Sequence, residues 1–583
     1  MRAPIEVVGG TALLCHHQGK MARTPRKTSL LGELKRRHVF RVGGTYCVVA
    51  FVVIQVADVM EEALRLPDGT LTTVTVIAIL GLPVALLIAW AYELTDQGVV
   101  KDEEVLKAQN VPSEVDSPVP IEPRSIAVLP FANLSADEDS DYFSDGVTDD
   151  IITNLSRIRD IRVVSRTSVM RYKNSQEPVG SIAAELRVAT VLEGSVRKAN
   201  GRVRISAQLI DTLEDRHLWV ESYDHPLNNI FDIQSDVSRQ IAQALAAELS
   251  AEEEADLAQK PTADVEAYDL YLKGRHLWGR RTVAGLQKSI EYFARALELD
   301  PGFALAEAGR ADSYVTLGMS GMGAPDDVMP LARDSATRAL SLDPRMAEAR
   351  TTLATVKALY DWDWKGAEQE FRRAIEAQPS YPLAHQWLAS NLLTPLGRFE
   401  EARAANQRAR ELDPLSEAIA TTFGVIFLYS ADYGSAVRCL SDVLDVHDRF
   451  GMAAFFRGQA EVALGLLDDA VESLRLAAQL TDSSSEVLAT LAHAYAAGGR
   501  STEARELLAS LEAQFAEGYG SPVLKVQIHI GLGEHERALD LLEEAADVRA
   551  ADLAWLCVRP IYAPLRTDPR FDAILKTVGL RSD

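Results

Sequence analysis

The chain has 583 residues, too many for one ordinary hydrophobic core, which predicts two to four domains. Acids outnumber bases by 84 to 60, giving a formal charge of −24 and a pI near 5.0, and this excludes a chain built around a basic nucleic-acid-binding face. Apolar residues at 47% and aromatics at 7% exclude wholesale disorder, while four widely separated cysteines (Cys15, Cys47, Cys439, Cys557) offer neither a disulfide framework nor a CxxC metal pair.

Residues 1–41 run against the overall charge: nine Lys or Arg face only Glu6 and Glu33. Glu6 interrupts the weak apolar run of residues 1–20 and no small-residue cleavage site follows, so no signal peptide is expected there. Met21 opens a basic amphipathic stretch suited to a membrane surface and is the expected translation start. Two apolar segments follow. Val42–Val56 covers roughly 23 Å as a helix and must borrow flanking residues to cross a core of about 30 Å. Leu71–Tyr92 carries no charge and covers about 33 Å, with Trp90 and Tyr92 placed as interface aromatics. Residues 42–92 are therefore predicted to form two transmembrane helices. Basic residues from Arg23 to Arg41 precede the first, whereas the loop between them has only Arg65 beside Asp58, Glu61, Glu62 and Asp68. Basic flanks stay inside, so the N-terminus and the soluble domains are expected in the cytoplasm, and in the periplasm should the first segment not span.

Residues 93–123 read as a polar, proline-containing linker, and residues 124–250 as a small α/β domain. Ser125–Phe131 and Ile161–Ser165 have the β-branched, apolar texture of buried strands. Helices are predicted near Ser144–Arg157, Ser181–Leu186 and Ile230–Leu249, and a strand at His217–Ser222. Thr190–Arg197 and Arg202–Ile210 flank Asn200-Gly201, a strong hairpin signal because both residues tolerate positive φ. Asp137, Glu138, Asp139, Asp141, Asp145, Asp149 and Asp150 form an acidic cluster at the start of the first helix. Hard cations take oxygen ligands, which makes Asp145, Asp149 and Asp150 weak metal candidates. The spacing is not that of an EF-hand loop, and acids at a helix N-terminus also serve the helix dipole.

One periodicity dominates residues 262–548. Ala332, Ala367, Ala402, Ala436, Ala470, Ala504 and Ala538 recur every 34 or 35 residues. Four residues after each stand Ala336, Phe371, Asn406, Leu440, Leu474, Leu508 and Leu542, one helical turn along the same face. Pro301, Pro344, Pro379 and Pro414 close the early units, and Gly274, Ser289 and Phe293 mark a further unit before an insertion around Ser320–Asp327. This is the tetratricopeptide period, two antiparallel helices per unit, and about eight units are expected. The alanines are packing positions, and stacked pairs present a concave groove in which extended peptides or helices dock. Residues 549–583, with Trp555, Leu556 and Pro564-Leu565-Arg566-Thr567-Asp568-Pro569-Arg570-Phe571, depart from the period and read as a C-terminal cap.

Taken together, LKRRHVFRVGGTYCVVAFVVIQVADV, AWAYELTDQGV, SIAVLPFANLSADEDSDYFSDGVTDDIITNLSRI, VLEGSVRKANGRVRISAQLIDTLEDRHLWVESYD and the closing LRTDPRFDAIL resemble bacterial membrane proteins with a TolB N-terminal-like (FlgO-like) domain followed by tetratricopeptide repeats. In relatives this module often stands behind a class III adenylate cyclase domain or a winged-helix regulator. The resemblance implies a sensory or scaffolding module at the bacterial inner membrane without such an output domain. No HExxH, GxSxG or P-loop pattern occurs, so no catalytic residue and no cofactor is assigned. The expected fold is multidomain: a transmembrane helical hairpin, a small α/β domain and an all-α solenoid. The expected function is a membrane-anchored scaffold whose groove recruits a protein partner; the alternatives are a small-molecule sensor acting through the α/β domain and a metal-dependent hydrolase.

Overall fold

The computed structural model describes residues 75–76, 78, 92–95, 98–101, 121–135 and 141–581. The chain divides into two compact units, Met1–Val119 and Pro120–Asp583. In the first, Thr75, Val76 and Ala78 are helical, and β1 (Tyr92–Thr95) pairs antiparallel with β2 (Gly98–Lys101), Thr95 opposite Gly98. The stretch expected to be linker, 93–123, thus begins inside a hairpin, where Val99 and Val100 supply strand propensity. The basic segment and nearly all of 42–92 lie outside the described residues. Among the described residues no helix is long and apolar enough to cross a membrane, so the expected transmembrane hairpin has no support from the fold.

The second unit opens with the α/β fold. Its strands are β3 (Ser125–Val128), β4 (Ala132–Asn133), β5 (Arg162–Val163), β6 (Thr190–Ala199), β7 (Arg202–Asp211) and β8 (Arg216–Pro226). They lie in the order β5-β3-β6-β7-β8, with β4 also on β6; β5, β3 and β6 run parallel and β6-β7-β8 form an antiparallel meander. Asn200 and Gly201 turn the β6–β7 hairpin with φ of 51° and 70°, the double positive φ of a two-residue hairpin loop. Along β7 the period of two puts Val203, Ile205, Ala207 and Leu209 in the core and leaves Arg202, Arg204, Ser206 and Gln208 on a polar face. Five helices accompany the sheet: α1 (Asp141–Ser156), α2 (Arg166–Met170), α3 (Val179–Leu186), α4 (Ile230–Ala244) and α5 (Ala251–Ala258). The amphipathic α4 buries Ile230, Phe231, Ile233, Val237 and Ile241.

The rest of the unit is helical. Among the described residues eight antiparallel pairs follow one another: α6 (Val265–Trp278) with α7 (Val283–Leu299); α8 (Ala304–Met319) with α9 (Pro325–Leu342); α10 (Ala347–Val356) with α11 (Trp364–Ala377); α12 (Pro382–Trp387) with α13 (Phe399–Leu412); α14 (Glu417–Tyr429) with α15 (Tyr433–Val446); α16 (Gly451–Ala463) with α17 (Leu467–Leu480); α18 (Ser485–Ala497) with α19 (Ser501–Glu517); and α20 (Pro522–Gly531) with α21 (His535–Asp547). π-helical turns, Lys357–Asp361 and Leu388–Leu393, prolong α10 and α12. Each turn inside a pair contains one residue in the left-handed region: Arg281, Gly321, Trp362, Gly397, Ala431, Gly465, Gly499 or Gly533. Pro301, Pro344, Pro379 and Pro414 each stand two residues beyond a second helix, where they cannot prolong it.

The seven periodic alanines lie on the second helices and are fully buried. Opposite them the first helices come very close: a Cβ on Gly424 or Gly458 would sit 2.6 Å from the Cγ of Leu440 or Leu474. Asn406, at the same position in the fourth pair, is fully buried and donates 3.0 Å to the Ile419 carbonyl. The inserted Ser320–Asp327 becomes the turn after α8 and the first residues of α9. After α21 come two 3₁₀ turns, Ala551–Trp555 and Pro560–Leu565, and α22 (Pro569–Thr577).

Candidate functional site

Two features of the second unit bear on function, and both arise where segments far apart in sequence meet. The first is the seam between the α/β fold and the repeats. They share one hydrophobic core, in which Tyr268, Tyr271, Leu272, Phe293, Phe303 and Ala306 join the α/β residues. Gly146 lets α1 approach α6; a Cβ there would stand 2.5 Å from the Leu272 side chain. Further along, Arg162 donates to the Glu411 carbonyl at 2.7 and 3.2 Å and to the Arg187 carbonyl at 2.8 Å. Ser168 donates to Asp413 and accepts from the Leu415 amide at 3.0 Å, and Ser380 donates 2.6 Å to the Ser156 carbonyl. The α/β fold is therefore fastened to the first two pairs and to the fourth pair with its flanking loops.

The acidic cluster sits at this seam and its members diverge. Lys173 Nζ binds both Asp145 oxygens at 2.8 and 3.0 Å and also reaches Asp141 at 3.2 Å. Asp149 faces Arg166 at 3.8 Å and Arg275 at 3.6 Å. Asp150 accepts from the Tyr268 hydroxyl and, at 2.9 Å, from Gln234. Burial pushes the Asp150 carboxyl up to about 7, against the pull of Tyr268. The three weak metal candidates are thus engaged separately by a lysine, two arginines and a tyrosine–glutamine pair. Asp137, Glu138 and Asp139 lie outside the described residues, and among the described residues no group of three or more His, Cys, Asp or Glu is arranged to hold a metal. Arg275 also faces Asp312 at 3.5 Å; burial lifts Asp312 to about 6 with Arg275 opposing. Asp269 receives Lys198 at 2.8 Å and Tyr142 at 2.8 Å, and despite burial these partners hold it below the usual carboxylate range. Tyr268, Asp269, Arg275 and Asp312 escaped the sequence pattern because the repeat period marks only packing positions.

Between the polar sheet face and the α2–α3 connection lies an open cleft of about 930 Å³, lined among others by Asp141, Lys173, Glu193, Arg204, Ser206 and Ser222.

The second feature is the path of the C-terminal segment. Phe571, Ile574 and Leu575 of α22 pack with Leu539 and Leu542 of the last pair, the work of a cap. The residues before α22 do more, because they turn back across the first helices of earlier pairs. Arg549 donates 2.9 Å to the Tyr360 carbonyl and lies over the rings of Tyr360 and Trp362, at 5.5 and 5.0 Å. Ala551 and Ala554 join the core around Leu359, Trp387 and Leu392. Trp555 donates 3.1 Å to the Ser390 carbonyl, and with Val558 packs on the cluster of Leu428, Tyr429, Ala436 and Ala460. Arg559, 3% exposed, reaches Gln459 at 3.5 Å. Glu486 on α18 and Asp552 on the segment also act on it; burial, then Asp552, push Glu486 up to about 7 while Arg559 opposes. The Trp364 indole donates 2.8 Å to the Val578 carbonyl, which ties the tail to the third pair. The inner face expected to lie open to a partner is thus occupied, from the third pair to the sixth, by the chain itself.

Residues 122–243 match the profile of the HilA/YgeH-like transcriptional regulator second domain, and residues 358–417 and 421–485 that of the tetratricopeptide repeat. The expected TolB N-terminal-like identity of the α/β domain is not what matches. A curated relative, "Putative adenylate cyclase 3" of Rhizobium meliloti (strain 1021), is 38% identical over 246 residues, 42% of this chain and 42% of that protein. Among solved structures, PilW, described as a widely conserved type IV pilus biogenesis factor, aligns at 20% identity over 35% of this chain and 94% of its own, with a TM-score of 0.29. A tetratricopeptide repeat protein from Parabacteroides merdae aligns at 17% identity over 45% of this chain and 97% of its own, with a TM-score of 0.31. The chain spans well under half the length of its curated relative, and what it carries by sequence and by fold is a tetratricopeptide solenoid joined to a small α/β domain.

Proposed function

We propose that this chain is a non-catalytic protein-interaction scaffold, anchored to a bacterial inner membrane through residues 42–92, with its α/β domain and repeats on the cytoplasmic side. The observation that carries the reading is the seam. A shared core and the Arg162, Ser168 and Ser380 hydrogen bonds make the α/β domain and the early repeats one body, so an event on the α/β domain is felt by the surface that holds a partner. The relative named as an adenylate cyclase fits a module that serves an output carried on another chain or domain. A second reading, ligand sensing by the α/β domain, is favoured by the cleft beside Lys173 and Arg204.

The test is cross-linking and affinity purification of the full, C-terminally tagged chain from gently solubilised membranes, with mass spectrometry of the cross-linked residues and a tag-accessibility assay on intact cells. A stoichiometric protein cross-linked to helix pairs supports the scaffold, and recovery of the chain alone sinks it. A tag reached from outside reverses the topology. Deleting residues 262–548 is the wrong control, because it would strip Tyr268 and Phe293 from the core they share with the α/β domain.

A further inference from the structure

The path of residues 551–559 carries an inference that rests on the scaffold reading and deepens it. We propose that this segment is an intramolecular ligand of the repeat groove, and that a protein partner gains the groove by displacing it.

The contacts are those of a bound peptide. Successive residues touch successive first helices: Ala551 and Ala554 the third and fourth pairs, Trp555 the fourth and fifth, Arg559 the sixth. Trp555 and Arg559 anchor it to a backbone carbonyl and an amide side chain, which is how a groove holds a helical turn of varied sequence, and Asp552 accepts 3.2 Å from the Ser521 hydroxyl.

The fit is close at Leu553, Ala554 and Leu556, which are fully buried, and incomplete at the polar end of the segment. Arg559 is almost wholly buried, yet its Nε has no hydrogen-bond partner, and its Nη2 contact to Gln459 is long at 3.5 Å. The Gln459 amide nitrogen and the Asn391 amide nitrogen beside Ser390 are likewise buried without partners. Orphaned donors in a protein interior each carry a desolvation penalty, and native cores hold few of them. Arg559 and Gln459 stand on the two sides of one contact, so the polar end of the segment is held less tightly than its burial suggests.

The occupant also shows the chemistry of its competitor. The Arg559 amide bonds back to the Trp555 carbonyl at 3.0 Å, one helical turn that sets an aromatic ring and a cation on the same side. The groove answers with the Leu428–Tyr429 cluster and with Glu486. The partner is therefore a short helical segment with an aromatic residue and, four positions on, a lysine or arginine. Hydrogen-bond acceptors on that partner for Asn391 and Gln459 would give it the advantage over the resident segment.

The experiment uses the full chain and a fluorescent synthetic peptide of residues 549–566. In the double variant Trp555→Ala/Arg559→Ala, hydrogen exchange across 551–559 should quicken at least about tenfold while α14 and α16 keep their protection, and the peptide should bind at least about tenfold more tightly than to the wild type. A peptide carrying Arg559→Glu should lose that binding. Should the double variant unfold, Arg559→Met, which keeps the packing volume, takes its place in both measurements. Unchanged exchange, loss of protection in α14 and α16 together with the segment, or no binding of the peptide to the opened variant would each overturn the proposal. Recovery of a partner held equally by the wild type and Arg559→Met sinks this inference alone; peptide binding without any recoverable partner sinks the scaffold reading and leaves this one standing.

Discussion

Gly458→Ala is the sharpest probe of how the repeats pack, because two effects of opposite sign meet there. Alanine in a helix interior is favoured over glycine by about 0.8–1.0 kcal/mol, and Gly458 lies in the middle of α16. The new Cβ, however, would stand 2.6 Å from the Cγ of Leu474, 2.9 Å from its Cδ2 and 3.3 Å from the Ala470 carbonyl. Leu474 is fully buried, and the atom struck is the branch carbon, so the whole side chain must move. Overpacking of this kind costs about 1–3 kcal/mol. The steric term wins, and the variant should be less stable by about 1 kcal/mol. Leu474→Ala removes the obstruction and by itself costs about 2–5 kcal/mol. In that background Gly458→Ala should become stabilising by up to about 1 kcal/mol, a coupling of about 2 kcal/mol between the sites. Urea unfolding of the four proteins, followed by circular dichroism, measures the cycle. A stabilising effect of Gly458→Ala in the wild type, or the same effect in both backgrounds, refutes the packing argument.

Ala431 turns the fifth pair with φ of 65°, where most of its counterparts are glycine, so Ala431→Gly should raise stability by about 0.5–1 kcal/mol in the same assay. Asp150 has its pKa raised to about 7 in the folded state, chiefly by burial, so the fold binds its proton more tightly than the unfolded chain does. Its contribution is fully present below about pH 4 and is lost as pH rises through about 7; Asp150→Asn should flatten the stability profile over that window, and an unchanged slope counts against the assignment. Arg162→Ala removes three hydrogen bonds, two of them across the seam, and should cost about 1–3 kcal/mol, with exchange quickening first around Ser168 and Glu411. Millimolar Mg²⁺ should leave the melting temperature unchanged, because Lys173, Arg275 and Tyr268 already hold Asp145, Asp149 and Asp150; a rise that vanishes in Asp145→Asn would revive the metal reading.

Local rules made part of this architecture legible. Asn200-Gly201 signals its hairpin because only residues tolerant of positive φ fit a two-residue loop, and both adopt it. Ala470 and Gly458 betray the repeat because a second helix can approach a first helix only over small side chains. The short α2 and the strand pair at 92–101 were missed: each is only a turn or four residues long, too short for a period to show. The acidic run offered weak metal candidates because charge density is visible in sequence, whereas the partners that engage its members, Lys173, Arg275 and Tyr268, come from other elements.

The C-terminal segment shows where such legibility ends. A repeat code specifies contacts between neighbours, and it leaves the inner face of each first helix free to vary. Tyr360, Ser390, Gln459 and Glu486 occupy such free positions, so nothing in the period announces that they receive a ligand. The ligand is equally silent, since Trp555 meets Ser390 across 165 residues and Arg559 meets Gln459 across 100. A cap was the natural expectation, because the final helix pair needs its apolar face covered and Phe571 and Leu575 cover it. Covering that face takes α22 together with Leu553, Leu556, Tyr562 and Leu565 from the turns before it. The same turns also carry a tryptophan and a buried arginine that lie outside that cluster and against earlier pairs. That surplus, together with the orphaned donors it leaves in the groove, argues for a segment selected for what it occupies.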